Sequence, residues 1–162
     1  MASSAFDAFY RANYEPVLRY VSRRIGDPET AKEVTAECFV TAWRKFDAAD
    51  PFPLAWLYRT ARNHLGNAYQ KRDRERLLLE TIRNEASIRA DADEQLLVAE
   101  ALSALTEVER EALSLTYWEQ MTAAEVALVL GCSESAAWKR ISRARIAFRA
   151  ALLELTARRS GG

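Results

Sequence analysis

The spacing of apolar residues constrains the fold of this chain more than any other feature of its sequence. Over most of its length, apolar residues recur every three or four positions, which places them on one face of an α-helix. The first such stripe consists of Phe6, Phe9, Tyr10, Tyr14, Val17, Leu18, Val21 and Ile25. No segment alternates with the period of two that a half-buried strand needs. The sequence therefore predicts an all-α protein.

Turn and capping residues divide the N-terminal part into three helices. Gly26 ends the first helix, and Asp27 caps the second, which begins at Pro28. Residues 47–53 contain two prolines, which do not fit inside a helix, and therefore form a loop before the third helix. The stripe of the second helix is Ala31, Val34, Cys38, Phe39, Ala42, Trp43 and Phe46, and that of the third is Leu54, Leu57, Tyr58, Ala61, Leu65, Ala68 and Tyr69.

Capping signals also punctuate the C-terminal part. One helix ends near Leu105, and two Thr-x-x-Glu sequences, at 106–109 and 122–125, form capping boxes that begin the next two helices. Gly131 ends the second of these, and Ser133 caps a last helix that runs to about Leu155. Two helices joined by a tight turn with a glycine are typical of a helix-turn-helix.

A weakly patterned, acidic segment at residues 77–93 separates these two parts. We interpret it as a connector between two small helical domains, residues 1–76 and residues 94–162, the second of which contains the helix-turn-helix. A length of 162 residues suits either two small domains or one medium domain.

Composition excludes several classes of protein. With 49% apolar and 28% charged residues the chain is globular, and its longest apolar run, residues 126–130, is too short to span a membrane. No leader sequence precedes the first helix, so we expect a cytoplasmic protein. Cys38, Cys132 and the single histidine, His64, lie too far apart in sequence for a zinc module, and nothing indicates another metal or a cofactor.

The net charge of zero conceals an uneven distribution. Residues 1–76 carry 13 basic and 10 acidic residues, residues 77–118 carry 3 and 9, and residues 119–162 carry 7 and 4. Two mildly basic ends around an acidic middle favour contact of both ends with a polyanion. Of the 23 basic residues 19 are arginine, which suits contacts with phosphate and guanine but also follows from a GC-rich genome.

The second helix of the helix-turn-helix has a polar and basic outer face. A helix of this kind fits the major groove, where its first turns reach base edges and later basic residues neutralise phosphates. An ordinary solvated basic helix is the alternative, and Trp138 suits either contact with DNA or packing against the preceding helix. The residues expected to contact duplex DNA are Ser133, Ser135, Ala136, Trp138, Lys139, Arg140, Arg143 and Arg145.

Basic and aromatic residues are interleaved along the third helix. Bases stack on aromatic rings while arginines bind the backbone, so this pattern suits a single strand. Core packing is the alternative explanation of the aromatic residues, Trp56 included. The candidate strand-binding residues here are Trp56, Arg59, Arg62, Asn63, Lys71 and Arg72.

Both halves resemble extracytoplasmic-function (ECF) sigma factors of bacterial RNA polymerase. Residues 55–63, Ala-Trp-Leu-Tyr-Arg-Thr-Ala-Arg-Asn, preceded by Glu-Cys-Phe at 37–39 and Ala-Trp at 42–43, are similar to the second conserved region of that family. Residues 109–113, 122–131 and 139–145, with Leu105 before them, are similar to its fourth region. The two regions occur in the expected order and span nearly the whole chain.

The resemblance implies an initiation factor that binds core polymerase, recognises the promoter −35 element through the helix-turn-helix and opens the −10 element with the N-terminal domain. The loop and the start of the third helix, with Asp47 and Phe52, would hold a flipped-out base of the −10 strand. Glu33, Glu37 and Phe39 on the second helix would face the polymerase. A separate anti-sigma protein regulates many members of this family.

The sequence departs from the family on this polymerase-binding helix. An acidic stretch usually written Asp-Ala-Glu-Asp is Thr-Ala-Lys-Glu at residues 30–33, so a net charge of −3 becomes 0, and the usual glutamine is Ala36. We expect weaker attraction to a basic polymerase surface. Phosphorylation of Thr30 by a Ser/Thr kinase, or of Thr35 as the alternative, would restore a charge of about −1.5 to −2.

Other functions remain alternatives at this point. A stand-alone helix-turn-helix repressor or activator would bind its operator without polymerase. An enzyme is disfavoured, because no nucleophile with its base, metal cluster or phosphate-binding glycine loop is recognisable. A pure interaction adaptor would not need the basic outer face of the last helix.

Overall fold

A computed structural model describes residues 2–68 and 92–161, and within these ranges the chain forms helices and no strand. The all-α prediction is confirmed. The seven helices found there are α1 (Ala2–Arg24), α2 (Pro28–Lys45), α3 (Leu54–Ala68), α4 (Ala92–Ser103), α5 (Glu107–Tyr117), α6 (Ala123–Leu130) and α7 (Glu134–Ser160).

The chain forms two compact units, which divide at residues 77 and 78. Helices α1 to α3 form the N-terminal unit, and α4 to α7 form the C-terminal unit. The predicted connector at 77–93 lies outside the described residues except for its last two, which begin α4. Its boundaries stay a prediction.

The N-terminal unit is a three-helix unit in which each helix contacts the other two. Val17, Val21 and Leu57 are fully buried between them. The ring of Tyr20 on α1 stacks on that of Tyr58 on α3, with centroids 4.5 Å apart and planes 10° from parallel. Cys38 on α2 donates its thiol to the Leu57 carbonyl at 3.3 Å, and burial raises the pKa of this thiol to about 12.

Local caps begin α2 as the sequence predicts. Asp27 accepts a hydrogen bond from the backbone N–H of Thr30 at 3.2 Å, and Pro28 is the first helical residue. The Thr30 hydroxyl donates to the same carboxylate, and these bonds lower the pKa of Asp27. An anionic carboxylate at this end also interacts favourably with the helix dipole.

The C-terminal unit is built around α7, which contacts α4, α5 and α6. Its core cluster consists of Leu102 and Leu105 with Leu113 and Ala144. Buried among them, Arg110 donates from Nη1 to the carbonyl oxygens of Leu102 and Leu105 at the end of α4. A guanidinium thus satisfies carbonyls that a helix end leaves without intrahelical partners.

Both predicted capping boxes are present, since Thr106 pairs with Glu109 and Thr122 with Glu125 through reciprocal bonds of 3.0 and 3.2 Å. The last helix is longer than the sequence suggested, because it continues past Leu155 to Ser160. An ion pair between Glu154 and Arg158 at 2.6 Å spans this added turn. Pairs of this (i, i+4) type stabilise a helix whose apolar stripe has thinned.

Candidate nucleic-acid interface

A tight turn joins α6 to α7. Gly131 caps α6 in the left-handed conformation, at φ 68° and ψ 40°, which glycine adopts without steric cost. Two residues later, Ser133 accepts a hydrogen bond from the backbone N–H of Ala136 at 3.0 Å and so begins α7. The predicted helix-turn-helix therefore has the predicted caps.

The interior of this helix pair is apolar. Val126 and Ala127 on α6 are buried, as are Ala137 and Ile141 on α7, which agrees with the sequence prediction. Leu130 was expected inside as well but is only half-buried, and Val129 is buried in its place.

The outer face of α7 carries most of the predicted duplex-binding side chains. Lys139 and Arg143 are exposed, whereas Arg140 and Ala136 are half-buried. Trp138 is 53% exposed, so about half of its surface is open to another molecule. The exposed members of the set are Ser133, Ser135, Trp138, Lys139, Arg143 and Arg145.

Arg145 differs from the other cations on α7, because a side chain from another helix holds it. Its Nε donates to the hydroxyl of Tyr117, the last residue of α5, at 2.7 Å. Tyr117 is 54% exposed and lies 28 positions away in the sequence. The sequence analysis missed Tyr117, since no short-range pattern connects two residues at that separation.

An aromatic stack lies where the 47–53 loop meets α3. The rings of Phe52 and Trp56 are 3.8 Å apart and 10° from parallel, and both residues are half-buried. Asp47 shapes the loop by accepting a hydrogen bond from the backbone N–H of Ala49 at 2.9 Å. Trp56 thus belongs neither to a closed core nor to open solvent, and part of the stacked pair lies at the surface.

Polar and cationic residues continue this surface along α3. Arg59 and Asn63 are exposed and Arg62 is half-buried, and they follow Trp56 by three, seven and six positions, respectively. That spacing places them on neighbouring positions of one helix face. The other two predicted strand-binding residues, Lys71 and Arg72, lie outside the described residues.

The predicted polymerase-facing surface of α2 needs one correction. Glu33 and Glu37 are exposed, but Phe39 is only 4% exposed, with its ring 4.9 Å from that of Tyr10 on α1. Phe39 is therefore a core residue of the N-terminal unit and does not belong to a binding surface. Glu37 has a neighbour that the sequence analysis did not foresee, His64 of α3, whose Nδ1 lies 3.4 Å from its carboxylate.

The two threonines considered for phosphorylation differ sharply in accessibility. Thr35 is fully buried and its hydroxyl donates to the Ala31 carbonyl at 2.7 Å, so the prediction that it is an alternative target is wrong for the folded chain. Thr30 is half-buried in the first turn of α2, with its hydroxyl bonded to Asp27. Lys32, beside it, lies 3.7 Å from Glu29.

No group of three or more His, Cys, Asp or Glu side chains within the described ranges could hold a metal ion. No helix of the described part of the chain is long and apolar enough to cross a membrane.

A helix-turn-helix with an exposed cationic helix, preceded in the chain by a three-helix unit with a surface aromatic stack, defines a DNA-binding transcription protein. Comparison with protein families makes this specific. Residues 9–75 match the model of sigma-70 region 2, and residues 95–148 match that of sigma-70 region 4.

Individual relatives agree with the family models. The ECF RNA polymerase sigma factor SigL of Mycobacterium tuberculosis is 29% identical over 95% of this chain and 94% of its own length. SigK of Mycobacterium bovis, also an ECF RNA polymerase sigma factor, is 28% identical over 82% of this chain and 77% of its own.

Solved structures give the same result. CnrH, in complex with the cytosolic domain of CnrY, is 30% identical, covers 95% of both chains and has a TM-score of 0.62. RpoE of Bartonella quintana, in complex with the anti-sigma factor NepR, has the same fold, with a TM-score of 0.62 at 20% identity over 91% of this chain and 96% of that one. The chain belongs to the ECF sigma factors of the sigma-70 family. It is a transcription initiation factor, and a stand-alone repressor or activator is not favoured.

Proposed function

We propose that this sigma factor divides promoter recognition between its two units. The C-terminal unit reads the duplex of the −35 element through α7. The N-terminal unit holds the opened −10 strand on the loop and α3, and binds core polymerase through the exposed face of α2. The observation that carries this proposal is the exposed cationic face of α7, which directly follows the Gly131 turn.

The surface of α7 supports duplex recognition. Trp138 and Lys139 lie within the first two turns and are exposed, while Arg143 follows one turn later. The first turns of a helix in the major groove reach base edges, and later cations neutralise phosphates. Apart from the Tyr117 bond to Arg145, no described residue pairs with the predicted cations of this face, so they are available to a polyanion.

The surface of the N-terminal unit supports binding of a single strand. The rings of Phe52 and Trp56 are stacked and half-buried, with centroids 3.8 Å apart, and aromatic side chains at a surface are the groups on which unpaired bases stack. Arg59, one turn beyond Trp56, is placed to neutralise the backbone next to such a base.

Regulation by a further protein also belongs to this proposal. The solved relative RpoE is bound to an anti-sigma factor, and CnrH to a domain of CnrY. For this chain we propose control by an anti-sigma protein or by a Ser/Thr kinase that acts on Thr30. We further propose that the protein works in the cytoplasm and has no catalytic activity of its own.

Transcription with purified components tests the main proposal. Core polymerase with and without this protein is incubated with a random promoter library, and the transcripts are sequenced. We expect initiation at one promoter class only when the protein is present. Sequence-specific DNA binding without stimulated initiation would contradict the proposal.

Replacing Arg140 with alanine is expected to reduce affinity for the enriched promoter by about 1–3 kcal/mol if Arg140 reads a base, with relaxed selectivity at one base pair. Competition binding of the reconstituted holoenzyme measures this. Arg158→Ala, which removes an arginine from the far end of the same helix, is the matched control and should have no effect. Unchanged affinity in Arg140→Ala would show that α7 docks differently.

Restoring negative charge on α2 is expected to strengthen binding to core polymerase. The Thr30→Asp, Lys32→Glu double variant should bind about 3- to 10-fold more tightly at low salt, because surface charges act mainly through screened attraction. Thr30→Glu should give part of this gain, as phosphorylation of Thr30 would. Phosphorylation also removes the hydroxyl proton that Thr30 donates to Asp27. Thr156→Glu on α7 adds the same single negative charge as Thr30→Glu but away from α2, and it is the control. Equal affinity of wild type and the double variant for core polymerase would show that α2 lacks no charge that a kinase could restore.

A further inference from the structure

Tyr117 and Arg145 form an exposed pair on the C-terminal unit. The Tyr117 hydroxyl accepts from Nε of Arg145 at 2.7 Å, and the guanidinium carbon lies 5.6 Å from the centroid of the Tyr117 ring. Both side chains are exposed, and Tyr117 has 54% of its surface open to solvent. Holding a long side chain in one geometry costs conformational entropy, and little buried area offsets that cost here.

The donors that this pair leaves open suit an anion. A guanidinium has five N–H groups, and the bond to Tyr117 uses the one on Nε. The four on the two Nη atoms form the planar fork that fits two oxygens of a phosphate. A phenolic hydroxyl that accepts a hydrogen bond still has its own proton to donate. No described residue other than Tyr117 bonds to Arg145, so no carboxylate within the described ranges competes for the fork.

The position of Tyr117 and Arg145 in the C-terminal unit indicates which anion they bind. Arg145 lies seven residues beyond Trp138, which is about 10.5 Å along α7 and nearly the same face of the helix. Tyr117 reaches this point from the end of α5, outside the helix-turn-helix itself. A helix that enters the major groove with its first turns meets the sugar-phosphate backbone at its later turns.

We propose that Tyr117 and Arg145 together bind one backbone phosphate of the upstream promoter duplex, with Tyr117 as the residue that positions Arg145. The Nη fork of Arg145 donates to two phosphate oxygens, while Tyr117 fixes the guanidinium by accepting the hydrogen bond from Nε. The site carries no sequence information and sets the depth and register of α7. This phosphate site rests on the proposed function of α7, which is recognition of the −35 duplex.

The test compares holoenzymes that carry wild type, Tyr117→Phe, Arg145→Ala, the double variant and Arg158→Ala. The probe is a short duplex enriched from a random pool by wild-type holoenzyme, and affinity is measured by fluorescence anisotropy over a range of salt concentrations. Tyr117→Phe keeps the ring and removes only the hydroxyl, so the thermal midpoint should not change.

We expect Tyr117→Phe to weaken binding about 3- to 10-fold, the effect of losing one exposed hydrogen bond of ordinary strength. Arg145→Ala should weaken binding to all sequences alike and reduce the salt slope by about 1. Because Tyr117 acts through Arg145, the double variant should bind within about twofold of Arg145→Ala alone. Arg158→Ala should bind as wild type does.

Three other outcomes would each contradict one part of the proposal. Full affinity in Tyr117→Phe, or a double variant whose loss is the product of the two single losses, would overturn the positioning role of Tyr117. An equal loss in Arg158→Ala would show a general charge effect and overturn the phosphate site. If neither Arg145→Ala nor Arg140→Ala changes affinity, the proposed function of α7 itself fails.

Discussion

Replacing Arg110 with alanine is expected to lower the free energy of unfolding of the C-terminal unit by about 3 kcal/mol, a more than 100-fold change in the unfolding equilibrium. Arg110 is only 4% exposed, and its Nη1 donates to the carbonyls of Leu102 and Leu105. The variant removes the Arg110 bond from both carbonyls, and the Leu102 carbonyl keeps the bond from the backbone N–H of Leu105, so the larger cost falls on the Leu105 carbonyl. Such groups cost their full desolvation free energy when a partner is removed.

Hydrogen exchange of peptides from residues 92–161, measured with urea unfolding, tests this expectation. Arg143→Ala, an exposed arginine in the same unit, is the control and should change stability by no more than about 0.5 kcal/mol. A comparably small change in Arg110→Ala would show that water or neighbouring groups replace the lost bonds. Where the expectation holds, the proposed binding of this unit to the −35 element should weaken as the unit loses stability.

The Tyr58→Ala variant is expected to destabilise the N-terminal unit by about 3–5 kcal/mol, the range for removal of a buried aromatic side chain. Tyr58 is 2% exposed, stacks on Tyr20, and its hydroxyl lies 3.4 Å from the Pro16 carbonyl. Its loss would leave a cavity where all three helices meet.

The same exchange experiment on residues 2–68 measures this effect. Tyr58→Phe keeps the stacked ring and loses only the hydroxyl, so it should cost about 1 kcal/mol. A Tyr58→Ala loss no larger than that of Tyr58→Phe would mean that the three helices close over the cavity. At 3–5 kcal/mol, promoter opening by the holoenzyme should fail at temperatures where wild type is active.

The sequence by itself determined the described helices and most of their ends, although the last helix continues past Leu155 to Ser160. The caps at Asp27, Thr106, Thr122, Gly131 and Ser133 were all predicted and are all present. Each depends on bonds between residues no more than five positions apart, so the information is local and can be read from a short stretch of sequence. The apolar periodicity likewise sufficed for the all-α class and for most of the helix-turn-helix interior.

Tertiary structure alone decided which side chains of those helices are available to other molecules. Phe39 and Thr35 lie on the same helix as Glu33 and Glu37, yet the first two are buried and the two carboxylates are exposed. Trp138 faces solvent, and Arg145 meets Tyr117 across 28 positions of sequence. These outcomes depend on how helices distant in sequence pack together, and that arrangement minimises the free energy of the whole unit, so no local pattern encodes it.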